Sequence, residues 1–330
     1  MIKYSRIYIK FIVQGGGMKH FITGTFIDEI THDIPSQNWG RKEWRKDFEV
    51  MKKTGIDTLV IIRSGFRDEA LFPSETLRTD TTEDLLQFFL DEAHRHEMRV
   101  FVGSYDCCNL SWEWKNWQED WNVNQRFIPE IHRRYGSHPA FYGWYIAPET
   151  CIACEGTYQV FGRHSEMMKE LTPDKPVLIS PYYPSYVFKD DTPAVRQKKF
   201  QEHWGKIFSK VPAIDICAFQ DGSCNFHTDE SDTAELAEYV RNTHTICREF
   251  DVIQWNNIET FGRRYGWKFP PIDWRLLEKK LALSDPYVEK QITFEFSHFM
   301  SPNAIYPSAH FLYDRYMEKI VNNRPIFDKK

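Results

Sequence analysis

Two glutamates stand alone within apolar and aromatic sequence, where charged side chains are uncommon. Glu149 ends the segment Trp-Tyr-Ile-Ala-Pro-Glu, and Glu259 lies within Trp-Asn-Asn-Ile-Glu-Thr-Phe. Apolar surroundings disfavour a carboxylate anion and raise the pKa of the group. A carboxyl with a raised pKa and a second, ordinary one can work together as an acid–base or acid–nucleophile pair. Hydrolysis of a glycosidic bond needs such a pair, about 5–5.5 Å apart for retention and about 6.5–9.5 Å apart for inversion.

Each of these carboxylates also has a structural interpretation. Glu149 could cap the helix that follows it, since acidic groups favour helix N-termini. Glu259 could form an ion pair with Arg263 or Arg264. Asp221, in Gln-Asp-Gly, is a third candidate acid, although Asp-Gly also favours tight turns. The sequence therefore leaves open whether Glu259 or Asp221 is the second carboxylate.

Eight short apolar runs rich in β-branched residues indicate strands. Most of them are almost continuously hydrophobic, as strands buried on both faces must be. They are His20–Ile27, Thr58–Arg63, Arg99–Ser104, Phe141–Ala147, Pro176–Ser180, Ile214–Gln220, Asp251–Trp255 and Ile292–Phe296.

Segments with helical spacing of apolar residues follow these runs. They are Arg41–Thr54, Thr82–His96, Asn122–Tyr135, Thr157–Leu171, Thr192–Val211, Asp232–Phe250, Ile272–Leu283 and His310–Asn322. Thr82 is the predicted cap of the second helix, and Gly55 is the predicted stop of the first. Strands and helices alternating eight times predict an α/β fold, a single-domain (β/α)₈ TIM barrel. The stretches Asp106–Trp121 and Phe261–Pro271 are expected to be long βα loops.

In a (β/α)₈ barrel the functional groups lie at the carboxyl-terminal ends of the strands. Glu149, Asp221 and Glu259 stand near three of the predicted ends and are the candidate catalytic residues. The candidate substrate-binding residues stand near the others, or beside the acids, and are Asp28, Arg63, Tyr105, Asp106, Tyr182, Gln220, Trp255 and Asn257.

Four segments together carry a resemblance to a known family: GTFID beginning at Gly24, WYIAPE ending at Glu149, FQDG around Asp221 and WNNIETF around Glu259. They resemble a glycoside-hydrolase-like TIM-barrel family of unassigned function, over about residues 18–316. The segment ending at Glu149 is also similar to the acid/base segment of the retaining glycosidase barrel clan. The resemblance implies a barrel that acts on carbohydrate, with Glu149 as acid/base and Glu259 in the position of the nucleophile. Pro148 stands where that clan usually has Asn, so Asp221 remains a competitor of Glu259.

Composition excludes several classes of protein. The net charge is −5, which offers no basic field to nucleic acid. No uninterrupted apolar run reaches the roughly 18 residues that span a bilayer. Aromatic residues make up 16% of the chain, with 11 Trp, and exposed aromatic faces are surfaces on which sugar rings stack. The seven cysteines include one Cys-x-x-Cys, at Cys151 and Cys154, without the further ligands of a zinc set. We expect no metal and no cofactor.

The chain is expected to divide at the run Gly15–Gly17. Residues 1–17 are predicted to be a flexible N-terminal extension and residues 18–330 the barrel domain. No complete signal peptide is recognisable, so the sequence predicts a cytoplasmic protein as it stands and an exported one if the true N-terminus differs. It does not specify the oligomeric state.

These observations predict a glycoside hydrolase whose partner is a carbohydrate substrate. One alternative is a non-catalytic glycan-binding barrel with the same aromatic cleft. A weaker alternative is a metal-dependent hydrolase or isomerase with Asp28, His32, Asp221 or Glu259 as ligands, but no His-x-His pattern follows the first strand.

Overall fold

The structure is a computed structural model that describes residues 21–31, 36, 38–79, 83–108, 110, 112–182, 188, 190–222, 230–262 and 270–322. The proposed extension, residues 1–17, lies outside these residues and stays a prediction. None of the described helices is both long and apolar enough to cross a membrane.

Eight parallel strands close into a barrel, which confirms the predicted fold class. In chain order the strands of the described residues are β1 (Ile22–Ile27), β2 (Thr58–Ile61), β3 (Gly65–Phe66), β4 (Glu69–Ala70), β5 (Arg99–Gly103), β6 (Tyr105–Asp106), β7 (Phe141–Tyr145), β8 (Val177–Ile179), β9 (Ile216–Gln220), β10 (Ile253–Glu259) and β11 (Lys290–Phe294). Around the ring the order is β1-β11-β10-β9-β8-β7-β5-β2. The short strands β3, β4 and β6 form a separate sheet that the sequence did not predict.

Helices follow the barrel strands, and the longer ones bury one face, whereas all four residues of the short α8 are buried. They are α1 (Arg41–Thr54), α2 (Leu85–Arg95), α3 (Trp117–Tyr135), α4 (Glu155–Leu171), α5 (Pro193–Lys210), α6 (Glu230–Glu249), α7 (Trp274–Ser284), α8 (Phe296–Phe299) and α9 (Pro307–Tyr316). Gly55, at φ 100°, ends α1 in the left-handed region as expected. Asp84, rather than Thr82, caps α2, because its side chain accepts a hydrogen bond from Gln87 N at 2.8 Å.

Several predicted boundaries differ from the structure, and two of them differ for the same physical reason. Helix α3 begins at Trp117 instead of Asn122, and β10 continues four residues beyond Trp255 to Glu259. In both places buried polar residues replace the apolar ones that mark an element in sequence. Asp120, in the first turn of α3, lies 3.0 Å from His164 Nε2 in a fully buried contact.

The barrel interior is filled by large rings. Phe26 packs edge-on against Tyr145, with 5.3 Å between ring centroids, and Phe101 packs in the same way against Trp255 at 5.5 Å. Close approach of β5 to β2 requires Gly103, since a Cβ there would lie 2.3 Å from the carbonyl oxygen of Ile61. These packed rings fill the interior of the barrel below the carboxyl-terminal ends of the strands.

Candidate active site

Alternation along β10 carries its polar residues to the inner side of the barrel. Successive side chains of a strand point to opposite faces. Ile253 and Trp255 join the interior cluster, whereas Ile258 belongs to the outer core beneath the helices. Asn257 and Glu259 therefore continue the inward-facing row to the carboxyl-terminal end of the strand.

The same alternation operates on β7 and β9. Tyr145 and Ala147 belong to the interior cluster, and Glu149 follows at the next step of two. On β9 the inward residues Ile216 and Ala218 lead to Gln220. The side chains of Glu149, Gln220 and Glu259 therefore lie at the carboxyl-terminal ends of β7, β9 and β10, above the packed interior residues.

A cavity of about 440 Å³ opens among these strand ends and unites most of the predicted site. Its lining consists of Asp28, Thr31, Ile62, Arg63, Glu149, Tyr182, Gln220, Asn257, Glu259, Phe261 and Phe294. Glu149 follows β7 and Glu259 ends β10, three positions apart in the ring of eight strands. The two carboxylates therefore enter the cavity from different sides.

Glu149 is held by hydrogen bonds to both of its oxygens. Tyr145 donates its hydroxyl to Oε1 at 3.0 Å, and Gln220 donates Nε2 to Oε2 at 2.8 Å. Burial raises the pKa of Glu149 to about 7, against the opposing effects of Arg63, Gln220 and Tyr145. Glu149 does not cap the next helix, because α4 begins at Glu155 with Cys154 as its cap residue.

Arg63 ties the first βα loop to the cavity wall. Its Nη1 donates to Thr31 Oγ1 at 2.9 Å, and Thr31 in turn donates its hydroxyl to Asp28 Oδ1 at 2.6 Å. Its Nη2 lies 3.5 Å from Asp106 Oδ2. The guanidinium is thus paired with Asp106, and it contributes positive potential close to Glu149.

Four predicted site residues do not line the cavity. Trp255 lies deeper in the barrel, among the packed interior residues. Tyr105 and Asp106 form β6, which leaves the barrel to join the small sheet, and Tyr105 packs against Phe127. Asp106 contacts the site through Arg63.

Asp221 is the fourth of these residues. It follows Gln220 and so takes the opposite, outward side, where its Oδ2 lies 2.9 Å from Nζ of the buried Lys280. Its Oδ1 accepts a hydrogen bond from the backbone N–H of Glu259 at 3.3 Å. Asp221 therefore touches the backbone behind Glu259 and not the cavity.

Several lining residues were not predicted from the sequence. Ile62, Phe261 and Phe294 form an apolar part of the wall, in which the rings of Phe261 and Phe294 lie 6.0 Å apart. Two-residue alternation would have found Ile62 and Phe294, since Val60 and Ile292 precede them in the interior cluster. Phe261 and Thr31 lie in loops, for which no periodic signal exists.

A second buried polar cluster, Glu29–Ser36–His298–Glu295, was also missed. His298 Nδ1 lies 2.6 Å from Glu295 Oε1, and its Nε2 lies 2.7 Å from Ser36 Oγ. Ser36 also hydrogen bonds to Glu29. The cluster joins the loop after β1, which carries Asp28, to the short helix α8 after β11.

Titration of this cluster is shifted by burial and by mutual charge. Burial raises the pKa of both Glu29 and Glu295 to about 7. Burial opposes protonation of His298, but the adjacent Glu295 carboxylate raises the His298 pKa above its ordinary value.

No three His, Cys, Asp or Glu side chains within the described ranges are grouped so that they could hold a metal ion. His32, one of the ligands considered above, lies outside those ranges, as do Arg263 and Arg264.

Residues 22–306 match the model of a family described as "Domain of unknown function (DUF4434)", and the chain belongs to that family. No curated protein matches the chain. A solved structure from Bacteroides thetaiotaomicron VPI-5482, described as a "putative alpha-L-fucosidase", is 36% identical with a TM-score of 0.82. The match covers 90% of this chain and 94% of that one.

More distant structures share the fold alone. An endo-1,4-β-D-mannanase from Thermotoga petrophila RKU-1 is 11% identical, with a TM-score of 0.54 and coverage of 90% of this chain and 99% of that one. A psychrophilic glycoside hydrolase family 10 endo-β-1,4-xylanase is 10% identical, with a TM-score of 0.51 and coverage of 84% and 87%. The structural neighbours of this barrel thus include glycoside hydrolases.

Proposed function

We propose that this protein is a glycoside hydrolase in which Glu149 is the general acid/base and Glu259 is the nucleophile or base. The observation that carries the proposal is that these two carboxylates line one cavity from different strands. Asp221 is a weaker candidate for the second carboxylate, because it is paired with Lys280 behind the cavity wall.

The environment of Glu149 suits a proton donor. With a pKa of about 7, a large fraction of Glu149 carries a proton near neutral pH. That proton would pass to the glycosidic oxygen as the bond to the sugar breaks. Glu259 would then attack the anomeric carbon or activate the water that does so. In a retaining reaction the deprotonated Glu149 would next take a proton from the incoming water.

The cavity wall also suits a sugar ring. Asp28, Gln220 and Asn257 offer polar groups to hydroxyls, whereas Ile62, Phe261 and Phe294 form an apolar part. A sugar with an apolar substituent, such as a 6-deoxyhexose, presents surfaces of both kinds. The Bacteroides relative is described as a "putative alpha-L-fucosidase", and fucose is a 6-deoxyhexose, so we propose α-L-fucosides as the first substrates to test.

The test is hydrolysis of a panel of 4-nitrophenyl glycosides, including α-L-fucoside, β-D-galactoside, β-D-glucuronide, β-D-xyloside and β-D-mannoside. We expect the wild-type chain to release 4-nitrophenol from at least one. Glu149→Gln and Glu259→Gln should each lower kcat by about 10²–10⁴-fold, the usual contribution of such a group. Glu278→Gln, on the exposed face of α7, is the matched control and should leave kcat unchanged.

Two outcomes would contradict the hydrolase proposal. One is near-normal turnover by the folded Glu149→Gln variant. The other is sugar binding measured by calorimetry with no product released from the panel or from natural oligosaccharides, which would favour a glycan-binding barrel.

A further inference from the structure

Lys280 is a buried cation with no place in the chemistry proposed above. It lies on α7 with only 1% of its surface exposed. An ammonium group removed from water is costly unless it is paired and hydrogen bonded. Its Nζ meets both needs, lying 2.9 Å from Asp221 Oδ2 and donating to the backbone carbonyl of Glu259 at 2.5 Å.

The other oxygen of Asp221 completes the arrangement. Asp221 Oδ1 accepts the backbone N–H of Glu259 at 3.3 Å. The buried Asp221–Lys280 ion pair therefore hydrogen bonds to both the N–H and the C=O of Glu259. The side chain of Glu259 is one of those that line the cavity.

The end of β10 lacks a strand partner on its β9 side, although β11 pairs with it as far as Glu259. Pairing between β9 and β10 ends at Gln220 and Asn257, two residues before Glu259. The last main-chain bond on this side runs from Asp221 N to Asn257 O, at 3.1 Å. Beyond it, the carboxylate of Asp221 replaces the missing backbone acceptor.

We propose that Asp221 and Lys280 are a positioning pair that fixes the backbone of Glu259 and thereby aims its carboxylate into the cavity. The inference rests on the proposed function, in which Glu259 takes part in catalysis. Neither member of the pair lines the cavity, so neither would contact substrate. Because a misplacement of about 1 Å can cost about 10²-fold in rate, loss of the pair should lower kcat and leave KM nearly unchanged.

The variants are Asp221→Asn, Lys280→Met and the double variant. Asp221→Asn keeps an oxygen for the Glu259 N–H but loses the charge. Lys280→Met removes the donor to the Glu259 carbonyl and leaves Asp221 buried without its cation. Lys279→Met, on the exposed side of the same turn of α7, is the matched control.

With the 4-nitrophenyl glycoside that the wild-type chain cleaves best, we expect kcat of Lys280→Met to fall by about 10–10²-fold, with KM within about threefold. The alkaline limb of the pH profile should stay where Glu149 sets it, since the pair does not contact Glu149. The double variant carries no unpaired buried charge and should recover stability towards urea without recovering kcat. A merely structural role would restore both together.

A second readout needs no substrate. Hydrogen exchange at the backbone amide of Glu259, followed by mass spectrometry of peptides spanning residues 256–262, should become about tenfold faster in Asp221→Asn, because a neutral amide oxygen replaces the carboxylate that accepts this N–H. Lys279→Met should exchange like the wild type. Unchanged exchange in Asp221→Asn, or wild-type kcat in folded Lys280→Met, would overturn the inference.

Failure of the positioning pair is distinguishable from failure of the hydrolase proposal. If Glu259→Gln is inactive while Lys280→Met has full activity, the pair is not needed but the hydrolase proposal stands. If Glu259→Gln is fully active, Glu259 is not catalytic and the positioning role falls with it.

Discussion

Glu149 and Glu259 differ in how they are held. Hydrogen bonds from Tyr145 and Gln220 reach the carboxylate of Glu149 itself. For Glu259, the buried pair Asp221 and Lys280 holds the main chain and not the carboxylate. The hydrogen bonds to Glu149 affect the pKa of its carboxyl group. In the proposal above, the Asp221–Lys280 pair fixes the direction of the Glu259 side chain.

Replacement of Tyr145 by Phe should move the pH profile in a defined direction. As the acid, Glu149 must be protonated, so kcat/KM should fall as pH rises through about 7. The Tyr145 hydroxyl stabilises the Glu149 anion and lowers its pKa. Its loss should raise that pKa and move the alkaline limb to higher pH by about one to two units, since a hydrogen bond to a charged group contributes about 1.5–3 kcal/mol.

The measurement is kcat/KM against pH for Tyr145→Phe, with Tyr142→Phe on the same strand as the control. A limb that stays in place, or that moves to lower pH, would show that Tyr145 does not stabilise the Glu149 anion.

At the scale of elements, the cluster Glu29–Ser36–His298–Glu295 joins the first βα loop to α8. Its central contacts are the 2.6 Å ion pair of His298 with Glu295 and the 2.7 Å contact of His298 with Ser36. Since the loop also carries Asp28 and Thr31 to the cavity, the cluster supports one wall of the proposed site.

His298→Gln should destabilise the protein most above about pH 7, by up to about 3–5 kcal/mol, because Glu295 is then ionised and would be left buried without its cation. Urea unfolding measures this free energy. His310→Gln, which affects a partly buried histidine of α9, should cost much less. The double variant Glu295→Gln/His298→Gln should regain part of the loss, and a loss equal to the sum of the two single variants would argue against the ion pair.

Elements were predictable from sequence where their apolar residues are periodic. Runs such as Thr58–Arg63 and Arg99–Ser104 predicted β2 and β5 because strands buried on both faces must be apolar. The end of β10 escaped prediction because Asn256, Asn257 and Glu259 are polar residues buried by the closed ring. Burial that depends on strands distant in sequence leaves no local signal.

Periodicity also explains which of the predicted site residues line the cavity. Glu149, Gln220, Asn257 and Glu259 line the cavity as expected, since each follows an inward-facing row of apolar residues. Asp221 does not, because it stands one residue out of phase with Gln220 and turns towards Lys280. Whether a residue lines the cavity is therefore predicted better by its place in the two-residue alternation of the strand than by its standing after the end of that strand.

For the whole molecule, closure of the barrel brings together carboxyls from distant parts of the chain and buries them. Burial raises the pKa values of Glu29, Glu149 and Glu295 from 4.5 to about 7. Between these values the folded chain binds more protons than the unfolded chain does. The free energy of unfolding should therefore fall as pH rises from about 4.5 to 7.

Urea unfolding followed by tryptophan fluorescence should show this loss between about pH 5 and pH 7.5. In Glu149→Gln, this pH-dependent loss of unfolding free energy should be smaller by up to about 3 kcal/mol, since one pKa unit corresponds to about 1.36 kcal/mol. The variant should therefore be more stable than the wild type at the higher pH. Glu278→Gln should follow the wild type. A wild-type chain that gains stability over this range would contradict the assigned burial of these carboxyls.

The most direct test of the central claim, that the bond is cut between Glu149 and Glu259, is a crystal structure of Glu149→Gln with a glycoside that the wild-type chain cleaves. We expect the glycosidic oxygen within roughly 3–4 Å of the side-chain amide that replaces the Glu149 carboxyl. The anomeric carbon should lie at a similar distance from the Glu259 carboxylate or from a water that it holds. A sugar bound outside this cavity, or bound in it with residue 149 or residue 259 out of reach of the scissile bond, would contradict the claim.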